Sequence, residues 1–292
     1  MGEYDSEKFE FSFNYFASFN SFDSFNSFNP FLIVMKRFIL ILITTLAAVT
    51  ALQAQPPERT ANQDKYYVRR ATHFDDLPVY RHDIIMLGNS LTDGAEWNEL
   101  FHNPNVKNRG IIGDIVQGLY ERMEPILQGQ PRKIFILSGV NDVSHGVDGD
   151  SIGRAMEKLI VLIKERSPRT KIYLQSMLPF NTDVQMWKLL KDREQVVIDG
   201  NRAMEEVCKR QGVTWINLYP LFVDKNGKLR EDLTNDGLHL LGPGYIIWRD
   251  AIKDYINDKG HPDIGHPGKG RPGKGHPRKH HKPRRHGKFR RF

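Results

Sequence analysis

Five short apolar runs mark the middle of the chain. Asp83-Ile-Ile-Met-Leu87 stops at Gly88, a weaker run from Val106 to Arg109 stops at Gly110, and Lys133-Ile-Phe-Ile-Leu137 stops at Ser138-Gly139. Lys171-Ile-Tyr-Leu-Gln175 and Val213-Thr-Trp-Ile-Asn217 complete the set. Continuous apolar runs of this length, without alternation, suit strands covered on both faces. Between them the spacing changes to that of helices. Ile152, Ala155, Met156, Leu159, Ile160 and Ile163 share one helical face, and Pro168 closes that stretch. Residues 184–211 read as one long helix ending at Gly212, and residues 114–127 and 243–257 read as helices too. Strands that alternate with helices predict a parallel sheet with right-handed crossovers. The expected fold is α/β, a three-layer sandwich around a five-stranded parallel, flavodoxin-like sheet. Chemistry in such a sheet belongs to the loops at the carboxyl ends of the strands.

The two ends of the chain differ from this middle. Phe recurs every third position from Phe13 to Phe31, a period that fits neither helix nor strand, so residues 1–34 read as a low-complexity leader. Either translation starts later and this stretch is dispensable, or it is an aromatic, aggregation-prone interaction segment. Met35 opens a better start: Lys36 and Arg37, an apolar run from Phe38 to Leu52, then Ala54. Residues 35–54 therefore read as a signal peptide cut after Ala51 or Ala54, and the protein as secreted or periplasmic. If residues 1–34 are translated, the same segment is an uncleaved anchor. The run is shorter than the ~20 residues of a membrane span.

Of the 292 residues, 39% are hydrophobic and 26% charged, a globular balance that excludes wholly disordered, collagen-like and coiled-coil chains. Net charge is +7, but residues 259–292 hold twelve Lys/Arg against one acid, so this Gly/His/Pro/Lys/Arg tail carries +11 and the other 258 residues −4. The tail cannot build a core and reads as disordered. It is either an address for acidic polymers and surfaces or a solvated tail without a ligand. Its only aromatics are Phe289 and Phe292, too few for a base-stacking platform, so no specific nucleic-acid reader is expected. A single cysteine, Cys208, excludes internal disulfides and Cys-x-x-Cys zinc sites. The folded unit is bounded at residues 55–258.

Four blocks within it carry chemistry. Gly88-Asn89-Ser90-Leu91 follows the first strand, and a serine on a tight strand-to-helix turn is placed as a nucleophile or as a helix cap. Gly110-Ile-Ile-Gly113-Asp114 follows the second; Gly113 either offers its N–H to an oxyanion or is a turn glycine before an Asp114 cap. Gly139-Val140-Asn141-Asp142 follows the third, with Asn141 as amide donor or turn residue. Asp236-Gly237-Leu238-His239 supplies a carboxylate three residues before an imidazole, close enough to fix its tautomer. Each block alone also suits an ordinary loop. Three at successive strand ends, with a fourth that adds base and acid, form a set.

This set resembles the SGNH (GDSL-type) hydrolases, known by a Gly-Asp-Ser-Leu block, a glycine block, a Gly-x-Asn-Asp block and an Asp-x-x-His block in that order. The resemblance covers residues 82–257. It implies Ser90 as nucleophile, His239 as base and Asp236 as acid, with the Ser90 and Gly113 N–H groups and Asn141 as oxyanion hole. No metal and no cofactor are implied. Asn89 replaces the usual Asp, a near-isosteric change. Glu96-Trp-Asn-Glu-Leu-Phe101 further resembles the branch of platelet-activating-factor acetylhydrolase catalytic subunits and bacterial acetylesterases. The implied activity is carboxylic ester hydrolysis through an acyl-enzyme, with a small-molecule or glycan ester as substrate and acetylated carbohydrate first. A lysophospholipase or thioesterase of the same fold, or a binding protein that uses its tail beside a vestigial site, are the rivals. His145, a rim or surface residue, His82, His102, Asp83, Glu96 and Cys208 lack a constellation, and Met177–Asn181 either shapes the pocket or packs the core.

Overall fold

A computed structural model describes residues 34–40, 64–184 and 187–257. The leader (but for its last residue), most of the signal segment and the basic tail lie outside the described residues; residues 34–40 are helical and exposed. Among the described residues no helix is long and apolar enough to cross a membrane.

The sheet has five parallel strands in the order β2-β1-β3-β4-β5: β1 (Ile84–Gly88), β2 (Val106–Gly110), β3 (Lys133–Leu137), β4 (Lys171–Gln175) and β5 (Thr214–Ile216). All five fall where the apolar runs predict them. Because side chains alternate across a strand, Ile85, Leu87, Ile134, Ile136, Ile172 and Leu174 enter one apolar core, and Ile84, Met86, Phe135, Leu137, Tyr173 and Ile216 enter the other. The inner strands β1, β3 and β4 are covered on both faces, which explains their unbroken apolar runs, while the edge strands β2 and β5 are partly exposed.

Helices in chain order are α1 (Lys65–Asp75), α2 (Ser90–Asp93), α3 (Trp97–Leu100), α4 (Val116–Glu121), α5 (Glu124–Gln128), α6 (Val140–Ser144), α7 (Gly149–Arg166), α8 (Glu194–Gln211), α9 (Tyr219–Phe222) and α10 (Gly242–Ile256). The first core is closed by α7, whose Ile152, Met156, Leu159, Ile160 and Ile163 are buried, and by α8. The second is closed by α10 through Trp248, Ile252 and Ile256, with Trp97 of α3 set edge-on to Trp248. The layers are helix, sheet, helix.

Two helices depart from expectation. The stretch 184–211 is helical only from Glu194; before it lie short 3₁₀ turns at Thr182–Val184 and Lys188–Leu190, and Asp192 takes a left-handed φ of 59°. Leu190 is buried and Trp187 packs on His239, so tertiary docking overrides local helix propensity there. The stretch 114–127 breaks into α4 and α5 at Arg122 and Met123. Arg122 turns inward to bind backbone carbonyls of β1 and β2, and Pro125 suits a helix start but lacks the N–H that an unbroken helix needs.

Candidate active site

The register of β1 with its neighbours assembles the site. Gly88 pairs with Gly110 on one side and with Leu137 on the other. The residues that follow, Asn89-Ser90, Ile111–Gly113 and Ser138–Asn141, therefore leave the sheet at one level. Ile111 N–H still donates to the Gly88 carbonyl at 3.1 Å, so the first two loops begin in contact.

Ser90 is the first residue of α2 and not its cap. Asn89 takes that role, its Oδ1 accepting from Leu91 N–H at 3.1 Å, which leaves the Ser90 hydroxyl uncommitted to the backbone. Ser90 Oγ lies 2.8 Å from His239 Nε2, and His239 Nδ1 lies 2.7 Å from Asp236 Oδ2. An ionised carboxylate only accepts, so the proton sits on Nδ1 and Nε2 is bare toward the serine O–H. Burial pushes Asp236 up, but bonds from His239 and from the N–H groups of Leu238 and His239 outweigh it and hold the carboxyl below its ordinary value. Trp187 covers the imidazole edge-on, with ring centres 5.3 Å apart.

The loop that carries Asp236 and His239 is held at one sharp point. Gly237 has φ 85°, and a Cβ there would stand 2.1 Å from the Asn181 carbonyl oxygen. Asn181 N–H donates to the Gly237 carbonyl at 2.7 Å, and Thr234 Oγ1 accepts from Gly237 N–H at 2.9 Å. Met177, Leu178 and Phe180 are buried in the cores, so the Met177–Asn181 segment packs, and its last residue anchors the His239 loop.

The other two blocks meet each other. Asn141 Nδ2 donates to the Asp114 carbonyl at 2.8 Å, which fixes the amide and leaves its second N–H for the cleft. Gly113 is exposed with φ 77°, and a Cβ there would touch nothing. Asp114 is not a helix cap. Ile115 holds that position, and the fully buried Asp114 carboxylate takes Arg122 Nε at 2.8 Å. Arg122 Nη2 donates to the carbonyls of Gly88 at 3.1 Å and Arg109 at 2.9 Å. One buried guanidinium thus ties the ends of β1 and β2 to the glycine loop. Burial raises Asp114 to about 6 against the pull of Arg122, and burial raises Asp142 to about 7 while its carboxylate takes Val116 N–H at 3.2 Å.

Arg122, Asp142, Thr234, Asn181 and Trp187 are supports that the motif blocks did not single out. Two had a sequence signal: Asp142 inside the Gly-x-Asn-Asp block, and Asn181 at the end of the Met177–Asn181 segment. The remaining candidates stay outside: His145 is an exposed loop residue, exposed His82 lies 3.7 Å from Asp83, His102 has an exposed left-handed backbone, and Glu96 precedes α3. Cys208 is buried, and burial pushes its thiol to about 12, so it is no nucleophile. No cluster of three or more His, Cys, Asp or Glu suited to a metal ion occurs among the described residues. Surface hollows of about 440 and 340 Å³ lie on the flanking helices, lined by Tyr120 and α7 residues and by α8 residues with Trp215, and neither contains a site residue.

A parallel α/β sandwich with a Ser-His-Asp relay at its strand ends defines a serine hydrolase. Residues 86–247, more than half of the chain, match the model of the GDSL-like lipase/acylhydrolase family. The chain belongs to that family and is an ester-hydrolysing enzyme. Among solved structures it is similar to a protein from Streptococcus pneumoniae assigned provisionally as a platelet activating factor: 27% identity, 72% of this chain and 99% of that one, TM-score 0.60. A GDSL-like lipase from Bacteroides thetaiotaomicron shares 26% identity over 66% of this chain and 97% of that one, with TM-score 0.58. A lipase/acylhydrolase from Enterococcus faecalis, 20% identical over 63% of this chain and 100% of that one, shares the fold with TM-score 0.52. No curated protein matches the chain.

Proposed function

We propose that the enzyme removes short acyl groups, acetyl first, from acylated carbohydrate by a two-step transfer through Ser90. The observation that carries the proposal is the continuous contact from Ser90 Oγ through His239 to Asp236, at 2.8 and 2.7 Å. As Ser90 Oγ attacks the ester carbonyl, its proton passes to His239 Nε2. The N–H groups of Ser90 and Gly113 and the Asn141 amide receive the charge that forms on the carbonyl oxygen. His239 then returns the proton to the departing alkoxide, and an acyl-Ser90 ester remains. Water gives its proton to His239 and attacks that ester, and as the bond to Ser90 Oγ breaks His239 passes the proton to that oxygen, releasing the acid and restoring the Ser90 hydroxyl.

The acetyl preference rests on the resemblance of the Glu96–Phe101 stretch to the acetylesterase branch. Its Trp97 is buried and donates its indole N–H to the Thr92 carbonyl at 2.8 Å, bracing the nucleophile's helix. A second reading, a lipid ester or thioester, is favoured by exposed apolar side chains on the loops around the site: Ile112 beside Gly113, and Val184 and Leu189 flanking Trp187. Residues 35–54 as an export signal and residues 259–292 as an address for acidic surfaces complete the proposal.

Hydrolysis of p-nitrophenyl esters from acetate to decanoate, with the full chain and its Ser90→Ala variant, tests it. Ser90-dependent turnover that falls steeply beyond acetate supports the acetylesterase, and a long-chain optimum moves the substrate to lipids. Turnover that survives Ser90→Ala removes the mechanism.

A further inference from the structure

Helix α1 precedes the matched family region and takes no part in the contacts from Ser90 to Asp236. It nevertheless grips both loops of the oxyanion site. Tyr66 Oη donates to Asp93 Oδ2 at 2.9 Å, and Arg70 Nη2 donates to Asp93 Oδ1 at 3.2 Å. Asp93 is the last residue of α2, the single turn that begins at Ser90. On its other side α1 reaches the glycine loop. Tyr67, Ala71 and Phe74 form a buried apolar cluster with Ile111, and Tyr67 Oη donates to the Gly118 carbonyl at 3.1 Å. The Phe74 ring also lies against three guanidinium groups, those of Arg70, Arg109 and Arg122, at 4.6, 4.8 and 6.0 Å. Arg122 is the group that binds Gly88, Arg109 and Asp114.

We infer that α1 is a positioning helix of the oxyanion hole, with Tyr66, Arg70 and Phe74 holding the Ser90 turn and the Ile111–Gly113 loop at a fixed separation. The inference rests on Ser90 and Gly113 acting as proposed above. Those two N–H donors stand on separate loops, which begin in contact through Ile111 N–H to the Gly88 carbonyl. An oxyanion is stabilised only by donors within about 2.7–3.1 Å of it. A drift of about 1 Å between the loops therefore costs much of the rate. None of the three side chains touches substrate; they act through the loops they hold.

The test uses the full chain. The variants are Tyr66→Phe/Arg70→Gln, Phe74→Leu, and Arg69→Gln as control, since exposed Arg69 on the same helix loses the same charge. For the first two, kcat on p-nitrophenyl acetate falls about tenfold or more with KM within about twofold, Phe74→Leu also losing some Tm because its ring belongs to a buried cluster, while Arg69→Gln matches the parent and Arg70→Lys restores part of the rate. Backbone amides of residues 90–94 and 111–115 exchange faster with solvent in these variants, and those of β3 and β4 do not. Unchanged kcat with unchanged exchange overturns the inference. So does a rise in KM alone, which makes α1 part of substrate binding, or a general loss of Tm and protection, which makes it only a structural helix. If the parent shows no Ser90-dependent turnover, the esterase proposal fails, and the exchange comparison alone decides whether α1 holds the two loops.

Discussion

Substituting Asn141 by Ala separates catalysis from folding. The amide has two hydrogens, and one is committed to the Asp114 carbonyl at 2.8 Å. The other is the donor assigned to the oxyanion. Loss of one such donor costs about 10²–10³ in kcat, roughly 2.7–4 kcal/mol of transition-state stabilisation. KM is expected to change little, because the donor acts on charge that exists only in the transition state. The folding cost is one hydrogen bond whose acceptor, the carbonyl of buried Asp114, loses its partner, about 1–3 kcal/mol. Gly113→Ala makes the opposite comparison. Its N–H survives and a Cβ there meets nothing, so its expense is the left-handed backbone at φ 77°, about 1–2 kcal/mol, paid in stability. Kinetics on p-nitrophenyl acetate and urea unfolding of both variants measure all four quantities. If Asn141→Ala keeps kcat within about threefold of the parent, Asn141 is not an oxyanion donor. If it loses rate and stability in equal free energy, its role is structural.

Further outcomes are expected. Asp236→Asn lowers kcat by about 10⁴ with little change in Tm, because the amide no longer dictates the imidazole tautomer; paired activity and thermal scans check it. Arg122→Met leaves Asp114 buried without its ion pair and frees the Gly88 and Arg109 carbonyls, a loss of about 3–5 kcal/mol visible as a lower urea midpoint. Gly237→Ala destabilises the His239 loop, since its Cβ would collide with the Asn181 carbonyl and its φ of 85° is strained; proteolysis after Lys228 or Arg230 accelerates relative to the parent. Asp142→Asn alters the pH dependence of stability. With Asp142 at about 7 in the fold and near 3.8 unfolded, the folded state keeps a proton that the unfolded state has lost, so stability falls as pH rises through that window and levels above it. Asp114, raised to about 6, acts in the same direction. The drop in Tm between pH 5 and pH 8 is therefore smaller in Asp142→Asn, and an unchanged drop would show that Asp142 is ionised throughout.

The three inner strands β1, β3 and β4 were legible because they are buried on both faces, so a bare apolar run marks them without any need for phase, whereas the edge strands β2 and β5 are partly exposed and carry weaker runs. The long helices α7 and α10 were legible from spacing, but the start of α8 and the break between α4 and α5 were not. In both places a side chain leaves the local pattern for a distant partner: Trp187 for His239, and Arg122 for Gly88. Helix α1 did carry a signal, apolar Tyr67, Ala71 and Phe74 at helical spacing, diluted by the charges around it. At the site, Ser90, Gly113, Asn141, Asp236 and His239 stood out only as a set, because each block alone suits an ordinary loop and only their joint order pointed to chemistry. The residues that hold them did not, because a buried arginine eight positions after an aspartate reads as a surface charge until the fold closes over it.

Strand order explains why three separate blocks serve one cleft. β1 lies between β2 and β3, so the loops after the first three strands are neighbours, although the chain crosses from one flank of β1 to the other between the second and the third. In a sheet ordered 1-2-3 the Ser90 and Asn141 loops would stand two strand spacings apart, about 9–10 Å, beyond reach of one carbonyl oxygen. With β1 central, each loop is one spacing, about 4.8 Å, from the nucleophile's strand. His239 and Asp236 need no strand of their own. Thr234 and Leu240 form an antiparallel bridge around them, and Leu241 N–H donates to the Leu233 carbonyl at 2.8 Å just before α10 begins. That loop is closed on itself and pinned to Asn181 after β4, the neighbour of β3. Ser90 is thus set by the sheet and His239 by a clamped loop. Their 2.8 Å contact depends on the Asn181–Gly237 clamp more than on any bond within the sheet, and for that reason Gly237→Ala is expected to lower kcat even in the fraction of molecules that stay folded.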